Sequence, residues 1–325
     1  LGKICAFNLQ TGNLLWSTDQ GVFGTWLSYS TDYDVLLQAG RASRDMLKDE
    51  INNRMSAFQG KDGKLLWDKP NSYSGPCLLL DKDILAQGNG FNLLDGAPKL
   101  IKDPITNRDV AWGFSRSYGC NTAIGSKNLL TFRSAAAGYY NLENDSGTGN
   151  FGGFKTSCTS TLIIADGILN VPDYTRGCTC SYQNRATLAL IHQPEIEIWT
   201  FNNNKWKGPI QRLGVNLGAP GDRISDTKTM WIEYPAIGGP SQEIPIKTSP
   251  KEIKWFSQSP LFTQGSELSW VGASGAKGIE SIIIPTGNAA TSETLYTIRL
   301  IFSEPDDIKV NERLIDISIQ KQLVS

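Results

Sequence analysis

A motif that recurs at a fixed offset constrains this chain more than any other feature. Ala6-Phe7-Asn8-Leu9-Gln10-Thr11-Gly12-Asn13-Leu14-Leu15-Trp16 returns as Ala57-Phe58-Gln59-Gly60-Lys61-Asp62-Gly63-Lys64-Leu65-Leu66-Trp67, with Phe, Gly and Trp each displaced by 51 residues. A glycine after Thr or Asp permits the positive φ of a tight turn, and Leu-Leu-Trp supplies a strand that packs on both faces. Each copy predicts strand, turn, strand. A second pattern joins an apolar strand, a short polar turn and a strand opening on two large aliphatics. It occurs four times, as Trp26-Leu27 with Val35-Leu36, Leu78-Leu79-Leu80 with Ile84-Leu85, Ala123-Ile124 with Leu129-Leu130, and Leu162-Ile163-Ile164 with Ile168-Leu169. The spacing of its second strands is roughly 40 to 50 residues, which suits a four-stranded propeller blade. One such sheet cannot cover its own two apolar faces, so neighbours must stack. The alternative is a two-layer sandwich of similar hairpins, an arrangement that rarely keeps so regular a period. Helix is nearly absent from the pattern; only the charged residues 44–52 suit a helical turn inside a loop.

Composition sets the outer limits. With 325 residues, 40% hydrophobic and 10% aromatic, the chain has material for two ordinary cores and is not disordered. Charged residues make up 19% and the formal net charge is -1. Lys and Arg are scattered among Asp and Glu, so no nucleic acid or anionic membrane is attracted by charge alone. No apolar run reaches the roughly 18 to 20 residues that cross a bilayer, and the N-terminus shows neither Met nor a signal-peptide pattern. Leu1 to Phe7 already has the character of a strand, and the chain stops just after the alternation Ile315, Ile317, Ile319. Both ends are therefore expected to be cuts, with any targeting signal lost.

Of six cysteines, Cys120, Cys158, Cys178 and Cys180 fall within about sixty residues. That clustering predicts at least one disulfide among the four and an oxidising, periplasmic or extracellular setting. Buried free thiols are the alternative. Zinc is disfavoured, because Cys178-Thr-Cys180 is not Cys-x-x-Cys and the single histidine, His192, lies in an apolar strand pattern that suits a core residue better than a ligand.

The Trp-bearing hairpins resemble the PQQ-like repeat, whose pattern runs Ala-x-Asp-x-x-Thr-Gly-x-x-x-Trp. The stretch from Tyr118-Gly119-Cys120 through Phe132-Arg133-Ser134, Gly147-Thr148-Gly149-Asn150 and Cys158-Thr159-Ser160 to Cys178-Thr179-Cys180-Ser181-Tyr182-Gln183-Asn184 is similar to a bacterial, secreted or envelope-associated branch of these propeller proteins. The resemblance covers residues 1–206 and implies an all-β partial propeller of about four to five four-stranded blades. The family also contains enzymes that bind pyrroloquinoline quinone (PQQ) and Ca²⁺. Here an adjacent Cys-Cys pair is lacking, and the repeat is a packing device without cofactor ligands, so no cofactor and no metal are expected.

Past Phe201-Asn202-Asn203-Asn204-Lys205-Trp206 the blade period ends. Tyr296-Thr297-Ile298-Arg299-Leu300-Ile301-Phe302-Ser303-Glu304 alternates as a half-buried strand would, and Asn311 to Ile319 is its expected partner. Residues 207–325 resemble a malectin-like β-sandwich, here incomplete, with Leu314-Ile315 in place of the usual Val-Phe. The resemblance implies carbohydrate binding, in which exposed aromatics stack on sugar rings and polar groups take the hydroxyls. Trp231, Tyr234, Trp255 and Trp270 are the aromatic candidates, Asp222 and Glu304 the polar ones. For each Trp, a place in the core is the competing expectation.

Other chemistries find little support. Gly147-Thr148-Gly149-Asn150-Phe151-Gly152 fits Gly-x-Gly-x-x-Gly without the strand before and helix after that a dinucleotide site needs. No Gly-x-Ser-x-Gly elbow exists for a serine nucleophile. Glycoside hydrolysis by a carboxylate pair is not decided by spacing, since the two acids need only meet in space. Arg133 is either a ligand-facing cation or a side chain that binds carbonyls between blades. The expected role is a non-catalytic binding or scaffold protein of the cell envelope, with a glycan or an envelope protein as partner. The alternative is part of a PQQ-dependent oxidoreductase, or of an enzyme whose catalytic domain lies elsewhere.

Overall fold

The computed structural model describes residues 2–42, 49–156, 161–173, 177, 179–182, 184, 186–193, 198–202, 205, 207–265, 267–287 and 293–324. Regular structure is almost all strand. Among the described residues the exceptions are a four-residue helix, α1 (Ser269–Gly272), and a 3₁₀ turn at Pro260–Phe262. Most of the expected helical turn at 44–52 lies outside the described residues.

A hairpin comes first, β1 (Ile4–Phe7) with β2 (Leu14–Thr18). Next, β3 (Trp26–Ser30), β4 (Val35–Ala39), β5 (Met55–Gln59) and β6 (Leu65–Lys69) form an antiparallel sheet in simple 3-4-5-6 order. The third sheet repeats this with β7 (Ser74–Leu80), β8 (Asp83–Gln87) and β9 (Gly90–Asn92), and a short fourth segment follows where Pro98 bridges Phe91 and Lys99 donates to Gly90 O. There the chain leaves the sheet in an inserted hairpin, β10 (Leu100–Lys102) and β11 (Asp109–Ala111), and returns at Trp112, whose carbonyl accepts from Gly90 N at 3.1 Å. A fourth sheet holds β12 (Ile124–Gly125), β13 (Leu129–Ser134), β14 (Ala136–Asn141) and β15 (Thr148–Asn150), and a fifth holds β16 (Ile163–Ala165), β17 (Ile168–Val171) and β18 (Leu188–Ile191). The short β19 (Thr200–Phe201) adds to β15, so the fourth sheet has five strands. All four strand pairs expected from the second pattern are antiparallel neighbours. The uniform four-strand blade is not kept, because the hairpin at 100–111 interrupts one sheet and β19 is appended to another.

Each apolar cluster lies between successive sheets, which is why the repeat needs its neighbours. Val35, Leu37, Ala39, Met55 and Ala57 of the second sheet pack on Ile84, Ala86 and Phe91 of the third. Leu85 points the other way and joins Trp112, Phe114, Leu130, Phe132 and Tyr140 between the third and fourth sheets. Strand β8 therefore buries both faces by simple alternation, at roughly 1.5–3 kcal/mol per large aliphatic. Ala137 of the fourth sheet meets Leu162, Leu169 and Val171 of the fifth. The stacking of antiparallel meanders through paired apolar faces is propeller-like.

In the C-terminal part, β20 (Gly214–Leu217), β21 (Arg223–Ile224) and β22 (Met230–Tyr234) make a mixed sheet, with β20 parallel and β21 antiparallel to the central β22. Ribbons of two strands follow: β23 (Lys247–Ser249) with β26 (Ser281–Ile283), β24 (Lys254–Ser257) with β25 (Ser274–Lys277), and β27 (Ser318–Ile319) with β28 (Gln322–Leu323). The strand expected at 296–304 is not formed, nor is its partner over 311–317. Alternation makes a strand only when a neighbour takes its backbone hydrogen bonds and a core takes one face. Among the described residues neither is supplied, and Leu300, Phe302, Leu314 and Ile315 are exposed.

The inserted hairpin ties the two parts together. Ile105 at its tip is 1% exposed, in one cluster with Ile210, Met230, Ile232, Ile244 and Ile246. Its carbonyl accepts from Gln211 N at 2.8 Å and Arg212 N at 3.1 Å.

Candidate functional site

Among the described residues five turns share one geometry, and three of them carry the joints between sheets. The amide of the fifth residue donates to the carbonyl of the first in Asn8–Gly12, Gln59–Gly63, Asn92–Gly96, Asp103–Asn107 and Asn141–Asp145, at 2.8 to 3.1 Å. The fifth residue takes a positive φ in each, Gly in the first three, Asn107 and Asp145 in the others. Where the first residue is Asn or Asp, its side-chain oxygen accepts amides two or three residues on, which closes the turn locally.

Each tryptophan of the repeat acts as a latch, reaching into the next such turn. Trp16 Nε1 donates to Gly60 O at 2.8 Å and Trp67 Nε1 to Leu93 O at 2.9 Å, the second residue of the turn in both cases. Their rings lie against the fifth residue, Gly63 and Gly96, where an added Cβ would sit 2.4 and 2.8 Å from the indole. Trp112 extends the series by another route. Its Nε1 donates to Asp145 Oδ1 at 2.8 Å, and its ring meets Tyr140 edge-on at 5.7 Å. The 51-residue match does not reveal Trp112, because the inserted hairpin displaces it; an Asn-x-x-x-Asp turn in the following sheet was the available signal.

The polar centre between the third and fourth sheets is built for cohesion. Arg116 joins them, donating Nε to Gln87 Oε1 at 2.8 Å and Nη1 to Asn121 O at 2.6 Å. Arg133 is 2% exposed, donates Nε to Ala135 O at 3.0 Å and lies 4.9 Å over the Tyr118 ring. It is thus not ligand-facing, and the carbonyl it binds belongs to its own hairpin, between β13 and β14, and not to a neighbouring sheet as expected. The nearest cavities, at Phe114–Tyr140–Thr148 and at Pro76–Leu85–Arg116, measure ≈ 10 Å³ each, enough for one water.

Of the expected disulfide residues, Cys158 and Cys178 lie outside the described residues. Cys120 and Cys180 carry free thiols, as do Cys5 and the buried Cys77, whose thiol burial pushes up to about 12. His192 follows the end of β18 and is exposed, in contrast to the core place expected of it. Among the described residues no group of three or more His, Cys, Asp and Glu side chains is arranged to hold a metal. Among the described residues no helix is long and apolar enough to cross a membrane.

The carbohydrate candidates fall into three separate places. Asp222 is 2% exposed; its carboxylate accepts from Ser241 Oγ at 2.6 Å, Glu233 N at 3.1 Å and Asn202 N at 3.3 Å. Burial raises its pKa, and those hydrogen bonds offset part of the rise. Trp270 is buried, edge-on to Trp231 at 5.7 Å and to Trp199 at 6.1 Å, with the Arg223 guanidinium 4.7 Å above its ring. Tyr234 and Trp255 form a second edge-on pair at 6.1 Å, and Trp255 is exposed. Glu304 stands apart, exposed and paired with Arg313 at 2.5 Å.

Glu233 and Asn216, which sequence reasoning did not single out, face each other across the β20–β22 register. Burial, then the Asp222 charge, pushes the Glu233 carboxyl up to about 7. Alternation along β22 places Glu233 on the face opposite Ile232, but a single acid in a strand carries no sequence signal that it is buried.

No family model matches this chain, and no curated protein matches it. Among solved structures it is similar to BamB from Moraxella catarrhalis, at 12% identity over 52% of this chain and 48% of that one, with a TM-score of 0.34. It is also similar to the computationally designed Ika8 protein, at 10% identity over 57% of this chain and 51% of that one, with a TM-score of 0.30. The chain spans about half the length of each. At such scores the likeness adds nothing to the fold, which rests on the strand pairing and the stacked faces.

Proposed function

We propose that this chain is a non-catalytic binding or scaffold module of the cell envelope, a propeller of the PQQ-like repeat type that presents its outer turns and edge strands to a protein partner. One observation carries this reading. The tryptophans of the repeat are spent on holding sheet to sheet and its Asn and Asp on closing the turns, whereas apolar side chains of its turns and outer strands stand free. Leu9 is 99% and Leu15 63% exposed, with Phe7, Leu14, Leu66 and Leu94 also exposed. Exposed apolar side chains are the raw material of a protein interface.

A photo-crosslinking residue at Leu9 or Leu15 is expected to capture one discrete partner in envelope fractions, while the same residue at Lys309, exposed in the C-terminal part, captures none. Titration with PQQ and Ca²⁺, followed by tryptophan fluorescence and dye-linked alcohol oxidation, tests the enzyme alternative. Saturable binding with turnover would overturn the non-catalytic reading. The envelope placement draws on the cysteine cluster, and six titratable thiols in denatured, non-reduced protein would remove that support.

A second reading, a glycan site within a malectin-like unit over 207–325, is favoured by the exposed Trp255 beside Tyr234. Such an edge suits stacking on a sugar ring. Absence of binding to any glycan on an array would remove it.

A further inference from the structure

The mixed sheet of the C-terminal part has one apolar and one polar face. Val215, Met230 and Ile232 face the core around Ile105. The opposite face carries Asn216, Arg223, Trp231 and Glu233, placed together by register. Asn216 is 1% and Glu233 6% exposed. Asn216 Oδ1 accepts from Ser274 Oγ at 3.2 Å, but Asn216 Nδ2, Glu233 Oε2 and Trp231 Nε1 are buried without a hydrogen-bond partner. Beside them stands the joint to the fourth sheet. Thr200 of β19 and Asp222 exchange both backbone bonds at 2.8 Å, and the Asp222 carboxylate ties Asn202 N to Glu233 N.

We propose that Glu233 is a proton-operated lock on this joint: the protonated carboxyl lets Asp222 hold β19 against β22, and loss of the proton loosens that hold. The Ile237 amide favours the charged form, but burial and the Asp222 charge outweigh it, so a second negative charge in the same buried pocket, with Oε2 lacking a donor, must draw in water or separate the strands. The neutral acid carries no such cost. Asp222 is the charge that bears on Glu233. Strand β20 contributes no charged group, and β21 contributes Arg223, held over Trp270. Helix α1 contributes none, and Lys277 at the far end of β25 is engaged by Asp306 at 2.5 Å. From the fourth sheet the neighbour of Arg223 is Tyr139, a phenol that burial pushes up to about 12 and so keeps neutral.

The direction follows from the acid's displacement. The closed joint holds its proton up to about pH 7, whereas an open one releases it near 4.5. The closed form is therefore favoured at low pH and loses ground through that window, so opening rises by up to about 70-fold between pH 5 and pH 8. Amide hydrogen exchange, corrected for its intrinsic pH dependence, reads this directly. The Asn202 and Glu233 amides are expected to open several-fold to about 70-fold more at pH 8 in the unmodified chain, and to show no such rise in Glu233→Gln. A flat profile in the unmodified chain, or the same rise in the variant, overturns the proposal. Should the variant fail to fold, ¹³C titration of the Glu233 carboxyl in the unmodified chain decides: a midpoint near 7 supports the lock, and an ordinary carboxylate midpoint refutes it.

Discussion

The latch geometry makes a differential prediction about three equivalent glycines. Gly12, Gly63 and Gly96 hold the fifth place of their turns at φ of 71°, 72° and 67°. Alanine there costs about 1 kcal/mol for the left-handed backbone alone. At Gly12 nothing lies within 4 Å of the new Cβ, so that backbone cost is the whole effect. At Gly96 the Cβ falls 2.8 Å from Trp67 Cε3. The ring must retreat, which strains a packed core by about 1–3 kcal/mol and breaks the bond from Trp67 Nε1 to Leu93 O, worth about 1 kcal/mol more. Gly96→Ala should therefore destabilise by about 2–4 kcal/mol beyond Gly12→Ala. Gly63→Ala falls between them, because Trp16 is more exposed than Trp67. Urea unfolding of the three variants, followed by tryptophan fluorescence, measures the difference. Equal midpoints for Gly12→Ala and Gly96→Ala would refute the claim that the indole seats on this glycine.

Ile105→Ala should cost about 2–4 kcal/mol and raise amide exchange at Gln211 and Arg212, which bond its carbonyl; unchanged exchange there would mean that the inserted hairpin does not hold the C-terminal part. A double-mutant cycle of Trp112→Phe with Asp145→Gly, which removes the acceptor and suits the positive φ there, should return about 1–2 kcal/mol of coupling, and a value near zero would dissolve the third latch. Cys77, buried with its thiol pushed up to about 12, should react with a disulfide reagent at least about tenfold more slowly than the exposed Cys5, whereas matched rates would contradict the packing of the second and third sheets. Raised from 4.5 to about 7, Glu233 binds its proton more tightly in the folded chain, so its contribution is fully present below pH 4.5 and is lost as pH rises to 7, by at most about 3 kcal/mol. Urea midpoints at pH 5 and pH 8 should show that loss in the unmodified chain and not in Glu233→Gln.

Legibility tracked how local the physics was. The strand pairs beginning at Trp26, Leu78, Ala123 and Leu162 were visible because each is a short turn between apolar runs, and both signals lie within about twenty residues. Trp16 and Trp67 shared a motif and share an environment. Trp112 escaped because an insertion separates it from its turn, and Asp145 stands where the earlier copies have glycine. The alternation over 296–304 misled for a physical reason: period two states that a segment can be a half-buried strand, and says nothing about whether an edge is free to receive it. The sugar-site candidates were chosen by residue type, and type does not distinguish the buried Asp222 from the exposed Glu304.

By itself the chain's order of residues determined that it would be all-β, that its first two hundred residues would form successive hairpins, and that those hairpins would need one another. Apolar alternation on both faces of strands such as β8 leaves no other way to keep those side chains from water. Tertiary structure alone decided that Ile105 would leave its sheet and enter the C-terminal core, that β19 would complete the fourth sheet, and that Asp222 and Glu233 would share a buried pocket. These are contacts between segments far apart in the chain, each chosen by which face or edge remained open once the local hairpins had formed.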